Sequence, residues 1–172
     1  MDGEAHVKSA YESILQGDFE QAIRAFEQAI EADPANPAYH HKCSITCLRS
    51  AKWQKAMRHA EEAVRLRPDD AEYRFHLASV EARIAAEEAK LELETAEPDF
   101  NAVIARLQDA IERDPLLDEA YLLLAAAYGA IGKYDEAAAS AREALKLNPS
   151  HGGAKRLFAE YNRKKRRRRP GR

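Results

Sequence analysis

Apolar residues recur along this chain at helical spacing, in runs that break at short polar turns and stop at prolines. The breaks read Gln16-Gly17-Asp18, Ser50-Ala51-Lys52 and Ile131-Gly132-Lys133. Gly17 and Gly132 suit the left-handed residue that ends a first helix. Asp18 suits the N-cap of the next, with Gln21 three residues on. The pattern predicts pairs of antiparallel helices, one pair per prolyl stop.

These pairs repeat. Pro34 and Pro68 are 34 residues apart, as are Pro115 and Pro149, and the interval between Pro68 and Pro115 is 47, or 34 with 13 added. Ala29, Ala63, Ala110 and Ala144 each stand five residues before a proline. Ala10, Ser44, Ala78 and Ala125 form a second column, and Ala22, Ala56, Val103 and Ala137 a third. Small residues at fixed positions let two helices approach closely, while the bulky ones between them fill the grooves. The units are 3–36, 37–70, 71–117 and 118–151. None can bury its apolar face alone, so neighbours stack.

A 34-residue helix-turn-helix with small residues at its eighth, twentieth and twenty-seventh positions and proline at its thirty-second resembles the tetratricopeptide repeat (TPR) family. The fourth unit matches most fully, through Tyr121, Leu124, Ala125, Tyr128, Gly132, Tyr134, Ala137, Ala144 and Pro149. The second has Cys43 and Cys47 at large-residue positions, and the first departs at Ser9 and Ser13. The resemblance covers roughly residues 3–151. It implies an all-α fold, a right-handed superhelical solenoid of four TPR units with a C-terminal capping helix. Leu157, Phe158 and Tyr161 share one helical face and place that cap at 152–162.

The extra 13 residues fall in the third unit, between Leu77 and Asp99. Pro98 is the only helix breaker there, so the insertion is expected to extend the unit's first helix by about three turns. Ile84, Leu91 and Leu93 are too few to cover a second core, which predicts an arm projecting from the edge of the array.

Composition supports a helical protein: 172 residues, 33% charged and 45% apolar. The formal charge of −2 conceals an asymmetry. Arg163, Lys164, Lys165, Arg166, Arg167, Arg168, Arg169 and Arg172 are eight of the 27 basic residues, which leaves 19 against 29 acidic residues in the rest of the chain. The run 163–172 reads as a disordered polybasic tail that could take up nucleic acid or anionic lipid weakly and without sequence preference. No apolar run is long enough for a transmembrane segment, the first residues lack a signal-peptide core, and two cysteines four residues apart suit a reducing, cytoplasmic setting.

His40, Cys43 and Cys47, spaced i, i+3, i+7, would share a helix face and invite a metal reading, but a structural zinc site usually needs four ligands and all three fall on packing columns. No P-loop, dinucleotide fingerprint or glycine-flanked serine occurs. The expectation is a non-catalytic protein without metal or cofactor.

The resemblance also implies that the first helices of the units line a concave surface. Carried onto this chain, that surface includes Val7 and Tyr11 in the first unit and His41, Ile45 and Arg49 in the second. Phe75, Ser79 and Arg83 follow in the third, with Leu122 and Ala126 in the fourth. Mostly apolar, with Arg49 and Arg83 as cations, it suits an extended peptide or amphipathic helix of a partner protein. Some TPR domains hold a chaperone's C-terminal carboxylate with a basic and asparagine clamp, whose positions correspond here to Val7, Tyr11, Lys42, Glu72 and His76; only Lys42, and weakly His76, suits that role, which disfavours a chaperone-tail receptor. The functional expectation is a scaffold or adaptor, with a polyanion-associated protein tethered by its tail as the alternative.

Overall fold

The computed structural model describes residues 2–168. Within them lie nine helices and no strand: α1 (Gly3–Leu15), α2 (Phe19–Ala32), α3 (Pro37–Arg49), α4 (Trp53–Leu66), α5 (Ala71–Leu93), α6 (Phe100–Arg113), α7 (Asp118–Ala130), α8 (Tyr134–Leu147) and α9 (Gly152–Arg168). The chain divides into two compact units, Met1–Val80 and Glu81–Arg172, with the division inside α5. No described helix is long and apolar enough to cross a membrane.

The helix boundaries follow from local chemistry. Gly17 and Gly132 adopt φ of 79° and 75°, and Ala51 takes the same left-handed region at 54°. At all three turns a backbone N–H reaches five residues back, from Asp18 to Ser13, Lys52 to Cys47 and Lys133 to Tyr128, which closes the last turn of the preceding helix. Asp18 caps α2 by accepting from the Gln21 N–H at 2.9 Å, and Asp99 caps α6 in the same way.

In the first unit α1 packs on α2, α2 on α3 and α3 on α4. Ala10, Ala22, Ala29, Ala56 and Ala63 are fully buried, so the small-residue columns are the lines along which these helices touch. Ser13, polar where an apolar residue is usual, is buried and donates to the Ser9 carbonyl at 3.0 Å, which satisfies its hydroxyl within the helix.

In the second unit α6 packs on α7, α7 on α8, and α9 on both α8 and α7. Two expectations are corrected here. The extension of α5 does not project as a bare arm: Ala82, Ala86 and Ala89 are wholly buried against Val103, Ile104, Leu107 and Ala110 of α6 and Ala120, Leu124 and Ala127 of α7, with Leu93 packed alongside. Alanines at i, i+4 and i+7 make a smooth helix face that a neighbour can approach closely, so a core forms where few large apolar residues exist. The polybasic segment is not disordered from residue 163 onward, because α9 continues to Arg168. Lys164 pairs with Glu160 one turn earlier and lies over the rings of Tyr134 and Tyr161, while Lys165 pairs with Asp135. These contacts offset the like-charge repulsion that would otherwise fray the helix. Arg169 and Arg172 lie outside the described residues.

Candidate functional site

The first unit contains an open apolar cavity of about 220 Å³, lined by Tyr11 and Ile14 of α1, Phe19 and Phe26 of α2, and Lys42, Ile45, Thr46 and Arg49 of α3. Phe26 is its fully buried floor. Tyr11 stands edge-on to Phe26, with ring centroids 5.9 Å apart, and remains 46% exposed; Ile45 is 38% exposed opposite it. Two cations line the cavity. The Lys42 ammonium sits 5.5 Å from the Tyr11 ring centroid and the Arg49 guanidinium 5.1 Å from that of Phe19. Neither has a carboxylate partner among the described residues, whereas Lys52 just before α4 and Lys55 and Arg65 within it are paired. The cavity can therefore accept an apolar group and still offer positive charge to an acidic neighbour of that group.

Of the residues expected on the binding surface, Tyr11, Ile45 and Arg49 meet at this cavity. Val7 and His41 do not, and the expectation for them is corrected: both are buried, at 5% and 7% exposure. The His41 ring is held between Tyr73 and His76, each 4.8 Å away between centroids, which turns it into the unit rather than toward a partner. Phe75 is exposed and Ser79 half-buried on α5, outside the cavity lining. In the second unit Arg83 is engaged by Glu119 at 3.9 Å, and Leu122 and Ala126 are half-buried on α7. Phe19, Phe26, Lys42 and Thr46 were missed as lining residues. The two phenylalanines belong to a second helix of a pair, and Lys42 and Thr46 lie one position from the expected surface residues His41 and Ile45.

A group of histidines on α3, α4 and α5 makes contacts that fix its hydrogen-bond roles. His40 Nε2 lies 3.1 Å from the Pro34 carbonyl and must donate to it, so His40 Nδ1 accepts from His59 Nδ1 at 3.2 Å. His59 Nε2 is then a buried acceptor with no partner. Ser44 donates to the Ala56 carbonyl at 2.7 Å, so His76 Nε2–H donates to the Ser44 oxygen at 2.8 Å. Burial, with a neighbouring histidine adding to it, pulls both His59 and His76 down to a pKa of about 4. Both are neutral at pH 7.

Both nitrogens of His40 are thus engaged within the protein, away from any convergence with Cys43 and Cys47. Among the described residues no three His, Cys, Asp or Glu side chains are grouped to hold a metal ion. Both cysteines are fully buried; a hydrogen bond to Cys47 together with burial pushes the Cys43 thiol up, so it stays protonated.

Tetratricopeptide repeat profiles match residues 13–84 and 118–151, together more than half of the chain. The chain belongs to the tetratricopeptide repeat family. Its likeness to the TPR repeat-containing thioredoxin TTL4 of Arabidopsis thaliana is 30% identity over 93 residues, covering 54% of this chain and 14% of that protein. Among solved structures, MamA superposes with a TM-score of 0.53 at 23% identity, over 95% of this chain and 82% of that one. YrrB, described as a TPR protein with an unusual peptide-binding site, superposes at 0.51 and 18% identity, over 97% and 79%. At these identities the likeness is one of fold. Family membership places this TPR protein among protein-interaction scaffolds, a class that is generally non-catalytic.

Proposed function

We propose that this TPR protein is an adaptor that holds a peptide or amphipathic helix of a partner protein in the cavity of its first unit. The observation that carries this reading is the pairing of an exposed apolar cup, walled by Tyr11 and Ile45 over Phe26, with two cations that have no acidic partner among the described residues. Its volume of about 220 Å³ falls below the several hundred that small-molecule pockets usually offer and suits a single anchoring side chain. Lys42 and Arg49 favour an Asp or Glu near that anchor.

Selection from a displayed random-peptide library tests the proposal. Selected peptides should share an apolar anchor with an acid close by, and should lose at least about tenfold in affinity to a Tyr11→Ala, Ile45→Ser variant, in line with removal of a central anchor. Both residues are exposed enough for the variant to fold. Recovery only of peptides that bind wild type and variant alike would overturn the assignment.

A further inference from the structure

The basic residues of α9 sort into two groups. Lys164 and Lys165 are consumed within the fold, through Glu160, Asp135 and the two tyrosine rings. Lys155, Arg156, Arg163, Arg166 and Arg167 are exposed and have no carboxylate partner among the described residues. At 100° per residue all five fall within an arc of roughly 120°, and from Lys155 to Arg167 the row runs about 18 Å along the helix. Between Lys155 and Arg167, Ala159 is the only other residue in that arc; Glu160 stands at its edge, turned to Lys164. The opposite face, Ala154, Leu157, Phe158 and Tyr161, is committed to the core with α7 and α8.

We infer that the outward face of α9 binds the phosphate backbone of duplex nucleic acid, without sequence preference. Four of the five cations are arginines, whose planar guanidinium meets phosphate oxygens two at a time. A straight row of charge on a rigid helix matches a duplex, which carries phosphates densely along a rod. A membrane surface fits less well: helices that lie on bilayers insert an apolar face, and that of α9 is already used inside the protein. Single strands fit less well too, because no aromatic side chain interrupts the row to stack a base. The rest of the chain carries an excess of acid.

The test is fluorescence anisotropy of the full chain with labelled duplexes of unrelated sequence. Five phosphate contacts imply that affinity falls on the order of 500-fold between about 50 and 200 mM salt, with equal binding to every sequence. An Arg163→Gln, Arg166→Gln, Arg167→Gln variant loses three contacts, so its salt effect should be about 40-fold smaller. A Lys155→Gln, Arg156→Gln variant, altered where α9 is anchored, should show an intermediate effect and guards against a fold defect in the first. Circular dichroism should show both as helical as wild type. Absence of duplex binding at low salt, an unchanged salt dependence in both variants, or tighter binding to phosphatidylserine vesicles than to duplex would overturn the inference.

Discussion

Tyr161 of α9 lies on the backbone of Gly129 in α7 so closely that a Cβ at position 129 would overlap the phenol ring. Gly129 carries a standard helical φ, so it is the missing side chain, and not backbone freedom, that this contact requires. Tyr161 is 6% exposed and stacks 6.1 Å from Tyr134, joining α9 to α8 as well. Gly129→Ala should therefore cost about 1–3 kcal/mol through overpacking, and Tyr161→Ala about 3–5. The two should not add. Once Tyr161 is removed, Gly129→Ala should cost almost nothing, which a double-mutant cycle from urea unfolding would read directly. Additive costs would mean that the two residues do not share one contact.

Ala51 offers the opposite opportunity. It holds φ of 54° at the turn between α3 and α4, where Gly17 and Gly132 occupy the equivalent turns. A left-handed conformation costs a residue with a Cβ about 1–2 kcal/mol, and the extra unfolded-state freedom of glycine offsets part of the relief. Ala51→Gly should stabilise the protein by about 0.5–1 kcal/mol. Gly17→Ala should destabilise it by a similar amount; no atom crowds that site, so the backbone alone sets the cost. Chemical denaturation midpoints of the two variants should move in opposite directions.

The buried alanine face of α5 predicts an inversion of ordinary expectation. Ala86 has no exposure, whereas Leu91 on the same extension is 63% exposed. Ala86→Leu should cost about 1–3 kcal/mol by forcing α6 away, and Leu91→Ala should stay within about 0.5 kcal/mol of wild type. If the extension were an unpacked arm, neither substitution would matter.

Much of this fold was legible in the sequence, because its signals are local. Pro34, Pro68, Pro115 and Pro149 mark the helix ends, and the Gly17-Asp18 pair writes a C-cap and an N-cap into adjacent residues. The packing of α5 is not legible in this way, since Ala82, Ala86 and Ala89 carry so little hydrophobic weight that only the approach of α6 reveals them as core. The basic run reads as disordered in the sequence because Asp135 and Tyr134, which hold Lys165 and Lys164, lie some thirty residues away. At the candidate site, Tyr11, Ile45 and Arg49 are what the TPR resemblance implies once it is carried onto the repeat register. The burial of His41 depends on Tyr73 and His76, and the floor under Tyr11 is Phe26 from the neighbouring helix. Register locates a helix face; it does not tell which of its residues a neighbouring ring will cover.

The histidine layer makes stability depend on pH in a stated direction. His59 and His76 have folded pKa values near 4 against about 6.5 unfolded, so between those values the unfolded chain binds more protons. Their contribution is complete above about pH 6.5 and is lost as pH falls toward 4. By pH 5 each should have withdrawn about 2 kcal/mol relative to pH 7.5. The groups facing His59 are His40, Arg58 and Lys55, which oppose its charging, and Glu27, which favours it; Glu62 is close enough to feel both His40 and His59. His76 faces His41 and the Ser44 hydroxyl, and His41 in turn meets Glu72 at 3.3 Å. The comparison stays at pH 5 and above, where the lowered Glu62 carboxyl remains ionised. Urea midpoints should fall between pH 7.5 and 5 in wild type. They should fall much less in a His59→Asn, His76→Gln variant, whose amides can replace the Nδ1–H and Nε2–H donors without titrating. A wild-type midpoint that does not move over this range would show that the two imidazoles are not held neutral by the fold.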